Sequence, residues 1–273
     1  MRHGSDRFSL HGFTLVEMIV SIVIGGILVS MVAMFGRGQI NAYFDVTNRA
    51  DLSDAADTAL RRIARDLQAA LPNSVRNTSS DLLEYVPIRD AGRYRANVDT
   101  GGAGNPLDFT NNSDTSFDVL GPPVTIGSGE ELVIYNLGQA GSDVYADVAA
   151  GSSRRSATAG ANLSTVTFAP GGGQFPFASP QSRFQIIAQP ITYQCDVAAG
   201  VLRRHTGYGF LAAQPTTFVG AQSSILVDSV SACSFSYTPA VLRRNGMAVL
   251  RLTLTRNGES VQLLHQVAVL NTP

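Results

Sequence analysis

The chain has 273 residues, 44% of them hydrophobic and 15% charged, with a formal net charge of −1. That length suits one substantial domain or two small ones, and so even a balance gives no basic field for nucleic acid. All 20 basic residues are arginine, which excludes a P-loop lysine, a Schiff-base lysine and a Ser–Lys dyad.

Residues 1–12 carry Arg2, Asp6 and Arg7 and end on Gly12. Residues 13–35 are apolar on every side, with Met18–Phe35 uncharged throughout and one carboxylate, Glu17, at the edge. A run of this length predicts a lipid-buried helix. It outlasts the apolar core of a secretory signal, and no small-x-small cleavage site follows it. A carboxylate there is costly unless something pairs with it. Ser21 with Gly25, and Gly26 with Ser30, place small residues at four-residue spacing, which lets helices approach closely. The plainer alternative is incidental small residues in an apolar helix.

The first proline is Pro72, and no glycine lies between Gly38 and Gly92. The absence of breakers predicts one helix from Phe13 to about Leu71, roughly 59 residues and on the order of 90 Å. Its continuation over 36–71 is amphipathic. Leu52, Ala56, Leu60, Ile63, Leu67 and Leu71 form one stripe. The other face offers Asp45 with Arg49, Asp57 with Arg61, and Arg62 with Asp66 at i,i+4. Such a stripe needs a partner surface, most simply the chain's own globular part.

Residues 72–273 change texture, with short β-type runs between Gly, Pro, Asn, Asp and Ser clusters. Candidate strands lie at 82–88, 116–120, 131–137 and 164–169, separated by segments expected to be loose loops, including 149–164. Farther on, "RFQIIAQPITYQCD", "GVLRRHTGY" and "ACSFSYTP" have strand character. Asn257-Gly258 is the favoured pair for a two-residue hairpin. It sets Leu254 opposite Val261, Leu252 opposite Leu263, and Arg256 beside Glu259. Cys195 and Cys233 then fall in two strands of this terminal sheet. Outside the cytoplasm they would form a disulfide worth roughly 4 kcal/mol at the upper side; the alternative is two buried thiols.

Enzyme signals are poor. His3 and His11 precede Gly12, His205 is expected at a solvated strand end, and His265 in a strand as a packed residue. No G-x-S-x-G or H-E-x-x-H occurs. Asp99, Asp108, Asp114 and Asp118 lack the spacing of a calcium loop, and solvated loop carboxylates are expected. The arginine pairs 61–62, 154–155, 203–204 and 243–244 are expected on the surface.

Gly12 followed by Phe13-Thr14-Leu15-Val16-Glu17 resembles the class III signal of type IV prepilins and type II secretion pseudopilins. The resemblance implies cleavage between Gly12 and Phe13 by prepilin peptidase, N-methylation of Phe13, and retention of the anchor. Glu17 would then pair with the Phe13 amine of a neighbouring subunit. Residues 56–76 resemble the helix end of large minor pilins and J-type pseudopilins. "ITYQCD", "GVLRRHTGYG" and "LLHQVAVLNTP" resemble minor pilins of the mannose-sensitive haemagglutinin type. The implied fold is α+β, the pilin fold: a long N-terminal helix packed on an antiparallel sheet with a large inserted β/loop region. The implied division is a cleaved leader (1–12), a transmembrane or filament-core helix (13–35), its amphipathic continuation (36–71) and a β-rich head outside the cytoplasm (72–273). The implied role is structural, with no cofactor and no metal. It begins as a single-pass protein of the bacterial inner membrane and then joins other pilin subunits through the N-terminal helix. A membrane-anchored exported binding protein or enzyme is the alternative from another class.

Overall fold

The structure is a computed structural model that describes residues 12–147, 151–171, 173–239 and 245–272. It divides into two compact units, Met1–Ala50 and Asp51–Pro273. Helix α1 spans Leu15–Gln68, 54 residues. In the first unit, the stretch Leu15–Met34 has a mean hydropathy of 2.5, and none of it is buried.

In the second unit the stripe on α1 is covered. Leu52, Ala56, Leu60, Ile63 and Leu67 are each at most 2% exposed. The helix stops at Gln68, short of the predicted Leu71. The residue before a proline disfavours helical backbone, and the Leu71 N–H donates to the Val86 carbonyl at 2.8 Å. Ala70 bridges Pro87, so the chain leaves the helix directly into β-type pairing.

Strand β1 (Leu82–Tyr85) is followed by eight strands of an inserted region. These are β2 (Ile88–Tyr94), β3 (Ser116–Leu120), β4 (Val124–Ile126), β5 (Glu131–Val133), β6 (Arg154–Ala157), β7 (Gly160–Leu163), β8 (Thr165–Ala169) and β9 (Arg183–Ile187). Six of them close into an antiparallel barrel in the order β2-β3-β8-β6-β5-β9, and β4 pairs with β7. Closure leaves the barrel without a free edge. Phe117 fills its centre, with ring centroids 5.2 Å from Phe184, 6.0 Å from Tyr94 and 6.1 Å from Phe168. Gly92 makes room for this packing, because a Cβ there would meet the Phe184 ring at 2.7 Å.

The chain returns as β10 (Ile191–Asp196), β11 (Val201–Thr206) and β12 (Gln222–Val227), which continue from β1 as one sheet, β1-β10-β11-β12. The last strands, β13 (Val230–Thr238), β14 (Gly246–Arg256) and β15 (Glu259–Val269), make a second sheet. Both sheets bury one face against the helix stripe in a shared core. A smaller cluster of Leu71, Val86, Val133, Val144, Tyr145 and Ile187 joins the helix end to the barrel.

The closing hairpin has the expected register: Leu254↔Val261, Leu252↔Leu263 and Arg256↔Glu259. Both turn residues have positive φ, 54° at Asn257 and 84° at Gly258, as a tight primed turn requires. Other expectations are corrected. The predicted strand 82–88 breaks before Ile88, because Pro87 has no N–H for a ladder, and its halves enter different sheets. "RFQIIAQPITYQCD" likewise divides at Pro190 between barrel and sheet. The expected loop 149–164 supplies β6 and β7. Cys195 and Cys233 are bonded, but they lie in β10 and β13, so the bond ties two sheets rather than two strands of one.

Candidate functional site

The site begins at Gly12, Phe13 and Thr14, which precede the helix and lie outside regular structure. Residues 1–11 of the expected leader lie outside the described residues. Phe13 is 83% exposed, so the Gly12–Phe13 peptide is an accessible, non-helical bond. Helix α1 then starts on a reciprocal cap. The Glu17 N–H donates to Thr14 Oγ1 at 3.3 Å, and Glu17 Oε2 accepts from the Thr14 N–H at 3.2 Å and from Thr14 Oγ1 at 3.1 Å. This is a capping box. Its sequence signal is "TLVE", Thr-x-x-Glu ahead of an apolar run, which the charge of Glu17 alone does not convey. Glu17 therefore has a task inside its own chain. Both cap contacts fall on Oε2; Oε1 has no hydrogen bond among the described residues.

Along the apolar face the small residues are quiet. The Ser21 hydroxyl donates to the Glu17 carbonyl at 2.7 Å, and the Ser30 hydroxyl to the Ile27 carbonyl at 2.8 Å. A Cβ added at Gly25 or Gly26 would meet nothing within 4 Å. The single chain thus gives these glycines no steric reason.

The second unit contains polar groups that sequence patterns did not reveal. Glu84 is buried; Arg76 Nε donates to its Oε2 at 2.6 Å and Tyr208 Oη to its Oε1 at 2.9 Å. The rest of the Arg76 guanidinium donates to the carbonyls of Ala212 (2.7 Å) and Leu211 (2.8 Å) and lies 3.5 Å from the centre of the Tyr145 ring. Burial pushes the Glu84 carboxyl above its ordinary range, and Arg76 opposes that shift. Asp66, expected to pair with Arg62, instead accepts from the hydroxyls of Tyr85 and Tyr193. Burial raises both phenols strongly.

Several residues expected on the surface are not there. Arg155 is 2% exposed and donates only to carbonyls, those of Ser152, Arg154, Gly173 and Gln174. Burial, then the neighbouring charge of Arg154, lower it to about 10. Arg154 pairs with Glu131 at 2.8 Å. His205 is buried, stacked on Phe218 at 4.0 Å and bonded to Ser223 and Gln194. Burial lowers its imidazole, helped by Arg203 and opposed by Asp196. His265 is half-buried in β15, beside a groove that α1 lines with Thr58, Ala64 and Arg65. The pair 243–244 lies outside the described residues.

The four loop carboxylates are occupied locally. Asp99 and Asp118 pair with Arg95, Asp108 accepts from Thr110, and Asp114 accepts from the Asp108 N–H. Thr110 holds Asp108, and the Asn105 N–H holds Asp118, below the usual carboxylate range. Among the described residues, no three His, Cys, Asp or Glu side chains are placed to hold a metal.

Comparison with known families gives one match: residues 9–33 fit the prokaryotic N-terminal methylation motif. The match covers the capped start of α1 and most of its apolar span, and it supports a type IV pilin-like or pseudopilin role. No curated protein and no solved structure matches the chain. The fold is α+β: an N-terminal apolar helix and a mostly β body of antiparallel sheets.

Proposed function

We propose that the chain is a minor pilin, similar to MshO of the mannose-sensitive haemagglutinin system, that initiates or caps a type IV pilus. The observation that carries this is the methylation motif at 9–33 on a wholly exposed apolar helix start. Prepilin peptidase cuts between Gly12 and Phe13 and methylates Phe13. The protein stays in the inner membrane with its head in the periplasm until residues 13–35 pack against other subunits. Gly25 and Gly26, unhindered in the single chain, then receive neighbouring helices, with Ser21 keeping the face of Gly25 narrow and Ser30 that of Gly26. The inserted barrel adds bulk that shaft neighbours would restrict, which favours the filament tip.

Glu17 serves two partners in this scheme. Oε2 keeps the cap on its own helix, and Oε1 meets the Phe13 amine of the next subunit, an amine that exists only after cleavage. In lipid an unpaired carboxylate is expensive, so the pair favours one axial register.

The decisive measurement is intact mass and N-terminal sequencing of the chain from cells with active prepilin peptidase. A mature chain beginning at N-methylated Phe13 is expected; an unmethylated chain beginning at Met1 would falsify the proposal. Three variants separate the two tasks of Glu17. Thr14→Ala removes the cap, worth about 1 kcal/mol, and should still assemble. Glu17→Gln keeps a capping-box residue but loses the charge, and should be cleaved yet fail to assemble. Glu17→Ala should fail as well. Normal assembly of Glu17→Gln would end the pairing role. Residues 56–76 also resemble J-type pseudopilins. Loss of exoprotein export with piliation intact, in a strain lacking the chain, would select that second role.

A further inference from the structure

Where the barrel meets the first sheet there is a pocket of about 390 Å³. Its walls come from three places: Arg89 on β2, the turn Ser128–Glu130 between β4 and β5, and the sheet positions Arg204 and Thr206 on β11, with Gln189 at the entry to β10. The volume is that of a small-molecule site.

Its charges are unevenly matched. Glu130 Oε2 accepts from the Gly127 N–H at 2.7 Å, and its Oε1 stands 3.7 Å from Arg89 Nε. One carboxylate thus answers one arginine, loosely. Arg204 is left over. Its side chain makes no hydrogen bond and no ion pair among the described residues, and its Nε is shut off from solvent without an acceptor. Asp66 is not its counter-ion: no ion pair joins the two among the described residues, and Asp66 Oδ2 accepts from the hydroxyls of Tyr85 and Tyr193. What suits an arginine without a counter-ion at the wall of a pocket is a planar oxyanion, which a guanidinium fork binds in bidentate fashion.

We propose that this pocket binds a small carboxylate-bearing, hydroxylated molecule, of the kind an acidic monosaccharide represents. Its carboxylate lies on Arg204, with Arg89 supplying the second positive charge. Its hydroxyls meet Ser128, Gln189, Thr206 and the carboxylate of Glu130. The site is separate from the N-terminal helix, so it stands whether or not the pilin assignment does.

The test is calorimetric titration of the full chain in detergent with glucuronate, and with glucose as the uncharged counterpart. Saturable binding of glucuronate is expected, with none of glucose. Arg204→Gln should weaken glucuronate binding by about tenfold or more, the effect of losing a charge-assisted hydrogen bond. It should leave the melting temperature close to that of the parent chain, since Arg204 makes no hydrogen bond and no ion pair among the described residues. Should that variant fail to fold, the exposed Arg89→Gln carries the same test through a smaller loss of affinity. Three outcomes overturn the proposal: no binding of glucuronate, equal binding of glucose, or unchanged affinity in both variants.

Discussion

Arg76 shows how much one side chain can organise. It meets Glu84, two carbonyls of the 211–212 segment and the face of Tyr145, so it joins β1 to a distant loop and to the cluster under the barrel. The pair is largely out of water, with the Arg76 side chain 19% exposed and that of Glu84 fully covered. Breaking such a pair from one side strands the remaining charge, typically at 3–5 kcal/mol. Arg76→Met should therefore cost about that much at neutral pH, read from urea denaturation. The deficit should also depend on pH. Burial raises the folded pKa of Glu84 above its unfolded value, so the folded state takes up a proton more readily than the unfolded one. Acid then favours folding through this group, and its advantage is lost as pH rises through the folded pKa. Without Arg76 the pKa rises further. The cost of Arg76→Met should shrink from neutral pH towards the ordinary carboxylate range, and an equal cost at both would refute the charge argument.

Among the elements, the amphipathic half of α1 was legible because burial follows a 3.6-residue period whatever it packs against. Leu60 sits at its centre, 2% exposed. Leu60→Ala should cost about 2–5 kcal/mol. Arg61→Ala, one residue on, removes an exposed ion pair with Asp57 and should be close to neutral; urea midpoints of the two variants compare them directly. The terminal hairpin was equally legible, since Asn257-Gly258 sets its register locally. The barrel was not. Its strand β6, "RRSA", lacks alternating apolar residues, and its pairing comes from closure rather than from side-chain pattern. Buried polar groups escaped for a related reason. Nothing in "SSRRSA" shows that Arg155 will be surrounded by carbonyls, because those carbonyls come from positions as far away as Gly173 and Gln174. In the N-terminal site the charge of Glu17 points outward to a partner, while its pairing with Thr14 is a local signal legible in the same four residues.

On the scale of the whole molecule, the barrel is an insertion between two strands already paired. Tyr85 at the end of β1 faces Ile191 at the start of β10, so the inserted segment leaves and returns at one hairpin position. Replacing 86–190 with a two-residue hairpin turn should preserve the helix–sheet core and the Cys195–Cys233 bond. Some stability should be lost, because Leu71 and the end of α1 lose their cover from Val133, Val144, Tyr145 and Ile187. A trimmed chain that keeps its cooperative unfolding transition bears this out; one that loses its disulfide and its cooperative transition overturns it.

That placement has a consequence for the order in which the chain takes shape. During synthesis β1 emerges long before β10, and joining them across an open coil would carry the entropic penalty of a very long loop. The barrel closes on its own strands with its own aromatic centre. Once it has formed, Tyr85 and Ile191 are separated by a folded body instead of a random chain. The first sheet can then nucleate as though β1 and β10 were neighbours in sequence. Substitutions in the barrel centre, at Phe117 above all, should therefore slow appearance of the first sheet more than they weaken the finished molecule.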